Sequence, residues 1–147
     1  MVTKYATLQD PLYNIVPTWI LENTRTEIRV PERVCATCAA EWFVTPSRHP
    51  SAMVKIGSNP EPGLIVLHPN FYTPMTASGE ALRAHELFHV DQREQDPDFA
   101  EKFARAADET ERRGLAPWEN PYEKPAYEFE QAVKKHLLEV KGLPEYG

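Results

Sequence analysis

The spacing of apolar positions changes twice along this chain. Leu12, Ile15, Val16, Trp19 and Ile20 recur every three or four residues, which predicts a helix with one buried face. Asp10 followed by Pro11 supplies an N-cap with proline at the first helical position, and Pro17 predicts a kink. From Arg25 to His68 the spacing shortens. Ile28 and Val30 alternate, as do Trp42 and Val44, and the runs Met53 to Ile56 and Leu64 to Leu67 lie between clusters of Pro, Gly and Asn. That pattern predicts three or four short strands. The link from Gly57 to Gly63 is hairpin-like and predicts that the last two pair. Pro31 to Cys38 fits neither pattern and is left unassigned.

After His68 the period returns to 3.6. Thr76 or Ser78 can cap a helix running to about Gln95, where Asp96-Pro97 ends it and opens a second helix with Phe99 and Phe103 on its buried face. Gly114 closes the second. Asn120-Pro121 opens a third, with Phe129, Val133, Leu137 and Val140 as its apolar stripe up to Gly142. The expected class is α+β: one N-terminal helix, a small and mostly antiparallel sheet, then three helices.

Composition bounds this picture. A length of 147 residues fits one domain spanning 1–147. The net charge of -6 has the wrong sign for wrapping nucleic acid or docking on anionic lipid, so neither partner is expected. Apolar runs such as Leu64 to Leu67 are too short to span a bilayer, and the first ten residues lack the apolar core of a signal peptide. The defaults are therefore a cytoplasmic location and a monomer. Pro is over-represented, at 14 residues against 6 Gly, which predicts stiff, sharply punctuated connections.

The chemistry concentrates in His85-Glu86-Leu87-Phe88-His89, an H-E-x-x-H string inside the first of the three late helices. Residues four apart share a helix face, so both imidazoles can converge on one metal ion while Glu86 points toward a metal-bound water. A catalytic zinc site uses three protein ligands and keeps one position open. The leading third candidate is Glu123, at the start of the last helix; Asn120-x-x-Glu123 also reads as a capping box. Glu119, Glu128 and Glu130 are further carboxylate candidates, and His49 or His68 could offer an imidazole.

The stretch from Met53 to Gln131 resembles the small gluzincin-type zinc metallopeptidases, among them compact HExxH domains of bacteria and bacteriophages. The residues that carry the resemblance are the strand Gly63-Leu64-Ile65-Val66-Leu67, the helix Ala84-His85-Glu86-Leu87-Phe88-His89-Val90-Asp91-Gln92, and Glu123-Lys124-Pro125-Ala126 as an E-x-x-A element. The resemblance implies a zincin-like fold, zinc held by His85, His89 and Glu123, and Glu86 as general base. It implies hydrolysis of a peptide bond in a peptide or protein substrate by zinc-bound water. The chain departs from the family where an Asp often follows the ligand Glu by four residues; Tyr127 stands there. It further implies that the strand Leu64 to Leu67 flanks the cleft as a sheet edge and pairs with extended substrate.

Donors for a developing oxyanion could come from Tyr72, Tyr127 or His136. Cys35 and Cys38 have the spacing of a redox pair or half a zinc knuckle, but no second pair accompanies them, so a reduced structural pair is the expectation. Two other functions compete with the peptidase. One is a non-catalytic module of the same fold, a virion or effector component in which zinc only stabilises the structure. The other is a metal-dependent amidase acting on non-peptide amides. Glu86 favours an enzyme, because a structural zinc site has four protein ligands and no use for a base.

Overall fold

The computed structural model describes residues 9–29, 52–54 and 64–147. The elements are α1 (Thr18–Asn23), β1 (Arg25–Ile28), β2 (Ala52–Val54), β3 (Leu64–Leu67), α2 (Ala77–Gln95), α3 (Phe99–Arg112), a short 3-10 turn (Pro117–Glu119) and α4 (Lys124–Glu139). This is the α+β class, with a small sheet followed by three helices. Among the described residues no helix is long and apolar enough to cross a membrane.

The first helix is shorter than its periodicity predicts. Residues 10–16 form tight turns, with the Asp10 carboxylate accepting from the Leu12 amide at 2.9 Å and Leu12 carbonyl accepting from Ile15 and Val16. Pro17 stands at the N-cap of α1 with φ -51° and ψ 135°, so the expected kink is a break. Proline at that point lacks the amide that would continue the preceding turn. Leu12, Val16, Ile20 and Leu21 are nevertheless buried, so the apolar stripe does its packing from two separate pieces.

The sheet has the order β1-β3-β2. β2 runs antiparallel to β3, with Ala52 opposite Leu67 and Val54 opposite Ile65. β1 runs parallel to β3, with Arg25 opposite Leu64 and Ile28 opposite Leu67. The expected mostly antiparallel sheet is thus mixed among the described residues. The reading of Leu64 to Leu67 as a sheet edge is overturned as well: β3 is the central strand and both its edges are already paired. All four of its residues are buried, as a strand covered on both faces requires. The expected strand at Trp42 and Val44, the link 57–63 and the segment Pro31 to Cys38 lie outside the described residues.

Helix α2 begins where its cap signal placed it. The Thr76 hydroxyl accepts from the Gly79 amide at 3.0 Å and donates to the Thr73 carbonyl at 2.8 Å. The next two amides are taken up from a distant part of the chain: Ala77 N–H donates to the Pro144 carbonyl at 2.7 Å and Ser78 N–H to the Glu145 carbonyl at 3.1 Å. The C-terminal residues therefore close over the start of α2 and satisfy amides that a helix start leaves unpaired. Gly142, at φ +67°, turns the chain out of α4 toward that contact.

Helix α4 starts one turn later than Asn120-Pro121 predicts. The Asn120 side chain accepts from the Tyr122 amide at 2.8 Å, and its carbonyl accepts from Glu123 and Lys124. Glu123 is consequently the N-cap of α4 rather than a first-turn residue. Of the expected stripe, Val133 and Leu137 are buried and Phe129 packs against the core, whereas Val140 lies beyond the helix and is exposed. One apolar cluster joins Leu12, Ile20, Ile65, Leu67, Leu87, Phe99, Phe103, Val133 and Leu137, so the sheet and the four described helices share it. Helix α2 is the shared wall, and its inward face carries the motif.

Candidate metal centre

His85 and His89 are both buried on the inner face of α2. Their Nε2 atoms lie 3.2 Å apart. Glu123 reaches them from the cap of α4, its Oε1 standing 3.0 Å from His85 Nε2 and 2.7 Å from His89 Nε2. Among the described residues these three form a group whose ligand atoms all fall within 4.8 Å of one another and which could hold a metal ion. A tetrahedral ion with bonds of about 2.0–2.1 Å separates its ligands by roughly 3.3 Å. The 3.2 Å between the two Nε2 atoms is close to that, the 3.0 and 2.7 Å to Glu123 Oε1 are shorter, and the donor set of two imidazoles and one carboxylate suits such an ion.

The far ring nitrogens also have oxygen neighbours. His89 Nδ1 is 2.7 Å from Gln92 Oε1, and the Gln92 Nε2 amide donates to the Tyr122 carbonyl at 3.2 Å. His85 Nδ1 is 2.9 Å from Glu130 Oε1, in ion-pair contact but off the ideal donor line. Tyr127 packs its ring edge-on against His85, with centroids 4.6 Å apart. Phe103 does the same to His89 at 5.4 Å. The two imidazoles are thus fixed by aromatic walls as well as by polar partners.

The electrostatics follow from burial and pairing. Burial alone would lower the pKa of His85, but the carboxylates of Glu123 and Glu130, with Glu86 nearby, outweigh it and push the metal-free group up to about 10. Burial raises Glu123, and its bonds to His85 and His89 more than reverse this, holding its carboxyl down at about 2. Glu86 behaves differently. It is buried next to the histidines, and burial raises its pKa above the usual value, an effect that the neighbouring His85 and His89 oppose only in part. Its carboxylate takes no part in the hydrogen bonds and ion pairs that join His85, His89, Glu123, Gln92 and Glu130.

The structure therefore brings together His85, His89 and Glu123, with Glu86 and Tyr127 beside them. It does not bring His136 to them. His136 lies in the last turn of α4, roughly 20 Å along the helix from Glu123. Tyr72 donates its hydroxyl to Glu80 at 3.0 Å and is committed there. Glu119 accepts from the Ala116 amide, Glu128 is exposed, and His68 accepts from the Asn70 amide. His49 and the two cysteines lie outside the described residues. Gln92 and Glu130 are polar neighbours that sequence reading missed in these roles. The signal was available: Gln92 follows His89 by three residues on the same helix face, and Glu130 follows Glu123 by two helical turns.

A second buried polar network lies one turn before the motif. Glu80 accepts from Tyr72, from the Met75 amide at 2.8 Å and from Arg83 Nε at 2.7 Å. Arg83 in turn grips both carboxylate oxygens of Asp10, ion-pairing the N-terminal turn to α2. This clamp fixes the half of α2 that precedes His85.

Comparison with known proteins adds one finding. The model of the eCIS core domain, a family of extracellular contractile injection system proteins, matches residues 63–97, which hold β3 and the whole of α2. No curated protein matches the chain. No solved structure matches it.

Proposed function

We propose that this chain is a zinc-dependent peptidase in which His85, His89 and Glu123 hold the ion and Glu86 is the general base. The supporting observation is the convergence of three buried donor atoms on one point, with the buried carboxylate of Glu86 adjacent in sequence to the first ligand and outside the bonds that join the three. A zinc ion bound there would polarise the scissile carbonyl and make a water molecule more acidic. Glu86 then has the work of a base. Its raised proton affinity suits it to accept the proton of the attacking water and deliver it to the departing amide nitrogen. Tyr127 is half-buried beside His85 and its phenol is pushed up to about 12 by burial, so it remains a hydrogen-bond donor at neutral pH and is the candidate partner for oxyanion charge. His85 and His89 would hold the ion, and Glu123 would add negative charge that balances part of it.

The test uses zinc-loaded protein against a peptide library read by mass spectrometry. The parent should cleave, and Glu86→Gln should keep zinc and melting behaviour while losing cleavage, because an amide cannot accept the proton. Retained cleavage in that variant refutes the role of Glu86. The match to the eCIS core domain favours a second reading, a component of an injection apparatus in which metal only stabilises the fold. Zinc-dependent stabilisation with no cleavage by the parent across the library supports that alternative.

A further inference from the structure

We propose that Glu130 and Gln92 are the positioning residues of this centre, each holding the far ring nitrogen of one histidine so that its Nε2 lone pair faces the other two donors. The inference rests on reading the centre as a zinc site. Gln92 is the better determined of the two. Its amide nitrogen is spent on the Tyr122 carbonyl at 3.2 Å, which turns its Oε1 toward His89 Nδ1 at 2.7 Å as an acceptor. An acceptor there requires the proton on Nδ1 and gives Nε2 the lone pair that a metal ion takes. The same side chain joins α2 to the turn that carries Glu123, because Tyr122 is the residue immediately before it. Gln92 thus fixes the tautomer of one ligand and the position of another.

Glu130 serves His85. It stands two turns beyond Glu123 on α4, and its Oε1 is 2.9 Å from His85 Nδ1, within ion-pair reach though off the ideal donor line. Tyr127, which occupies the position between them on the same helix, contributes only its ring edge to His85. The two histidines are also held unequally, one by a charged carboxylate and the other by a neutral amide. Carboxylate support raises the basicity of a ligating imidazole, and loss of such partners weakens metal binding by about 10- to 100-fold.

The experiment measures zinc affinity by competition with a chromophoric chelator, together with metal-free melting and the imidazole N–H resonances of the zinc-loaded protein. Expected results are zinc binding about 10- to 100-fold weaker in Glu130→Ala and Gln92→Ala, with Glu128→Ala unchanged. Each variant should lose the Nδ1–H resonance of its own histidine and keep the other. If Glu130→Ala does not fold, Glu130→Gln carries the test: it retains an acceptor oxygen, so an intermediate loss supports the proposal and an unchanged affinity overturns it. Parent protein that binds zinc, with both alanine variants binding equally well, overturns the proposal alone. Parent protein that binds no zinc overturns the reading of the site and this proposal with it.

Discussion

Replacing Arg83 with Met should destabilise the protein without touching a metal ligand, and the size of the effect follows from the clamp. The guanidinium is buried between two carboxylates, with side-chain exposure of 10% for Arg83 and 2% for Glu80. Its removal leaves Glu80 with the Tyr72 hydroxyl and the Met75 amide, and with no compensating charge. Removing one partner of a buried ion pair costs about 3–5 kcal/mol, because the survivor stays desolvated. Asp10 is 18% exposed, so water recovers part of what it loses, and the expected cost sits at the lower end, about 3 kcal/mol. For a chain of this size that corresponds to a fall in Tm on the order of 10 °C. Asp10→Asn should cost less, about 1 kcal/mol, because the amide oxygen still accepts from Leu12 or Arg83. Equilibrium urea unfolding in the presence of a chelator measures both, and the double variant should lose less than the sum, since the two residues share one interaction. A loss below about 1 kcal/mol for Arg83→Met, or fully additive losses, would falsify the account of a coupled buried clamp.

Further outcomes are expected. Glu123→Ala should lose most of the bound zinc measured by elemental analysis, and unchanged zinc content would remove Glu123 from the ligand set. In metal-free protein His85 is raised from 6.5 to about 10 and Glu123 lowered from 4.5 to about 2. Their contribution to stability is therefore full between about pH 4.5 and 6.5, is lost through His85 as pH rises toward 10, and is lost through Glu123 as pH falls toward 2. Zinc-loaded protein should instead gain stability as pH rises toward about 10, because protons compete with the ion for His85. Urea midpoints with and without chelator at those pH values decide this. Gly79→Ala should destabilise by about 1–3 kcal/mol despite alanine's better helix propensity, because its Cβ would stand 2.3 Å from the Thr73 carbonyl oxygen and 2.7 Å from the capping Thr76 hydroxyl. A higher melting temperature for that variant would show that the loop before α2 gives way easily.

What the sequence determined by itself is local. Thr76 at the N-cap, Asp96-Pro97 at the far end and an uninterrupted helical segment between them set the bounds of α2, because capping and helical hydrogen bonds join residues a few positions apart. Once that helix is given, His85 and His89 must share a face. Glu123 was legible as a candidate for the same reason, standing next to a helix start that Asn120 and Pro121 announce. Tertiary structure decided the rest. The central place of β3 depends on β1 returning to pair in parallel with it, and no periodicity along one strand specifies which neighbour takes each edge. The grip of Arg83 on Asp10 spans 73 residues, and the capping of α2 by Pro144 and Glu145 spans nearly half the chain, so neither leaves a spacing to read. The choice of Glu123 over Glu119 or Glu128 was likewise made by how α4 docks on α2. Glu123, Glu119, Glu128 and Glu130 are chemically interchangeable in a sequence, and the packing of the two helices brings Glu123 to the Nε2 atoms of both histidines and Glu130 to the far nitrogen of His85.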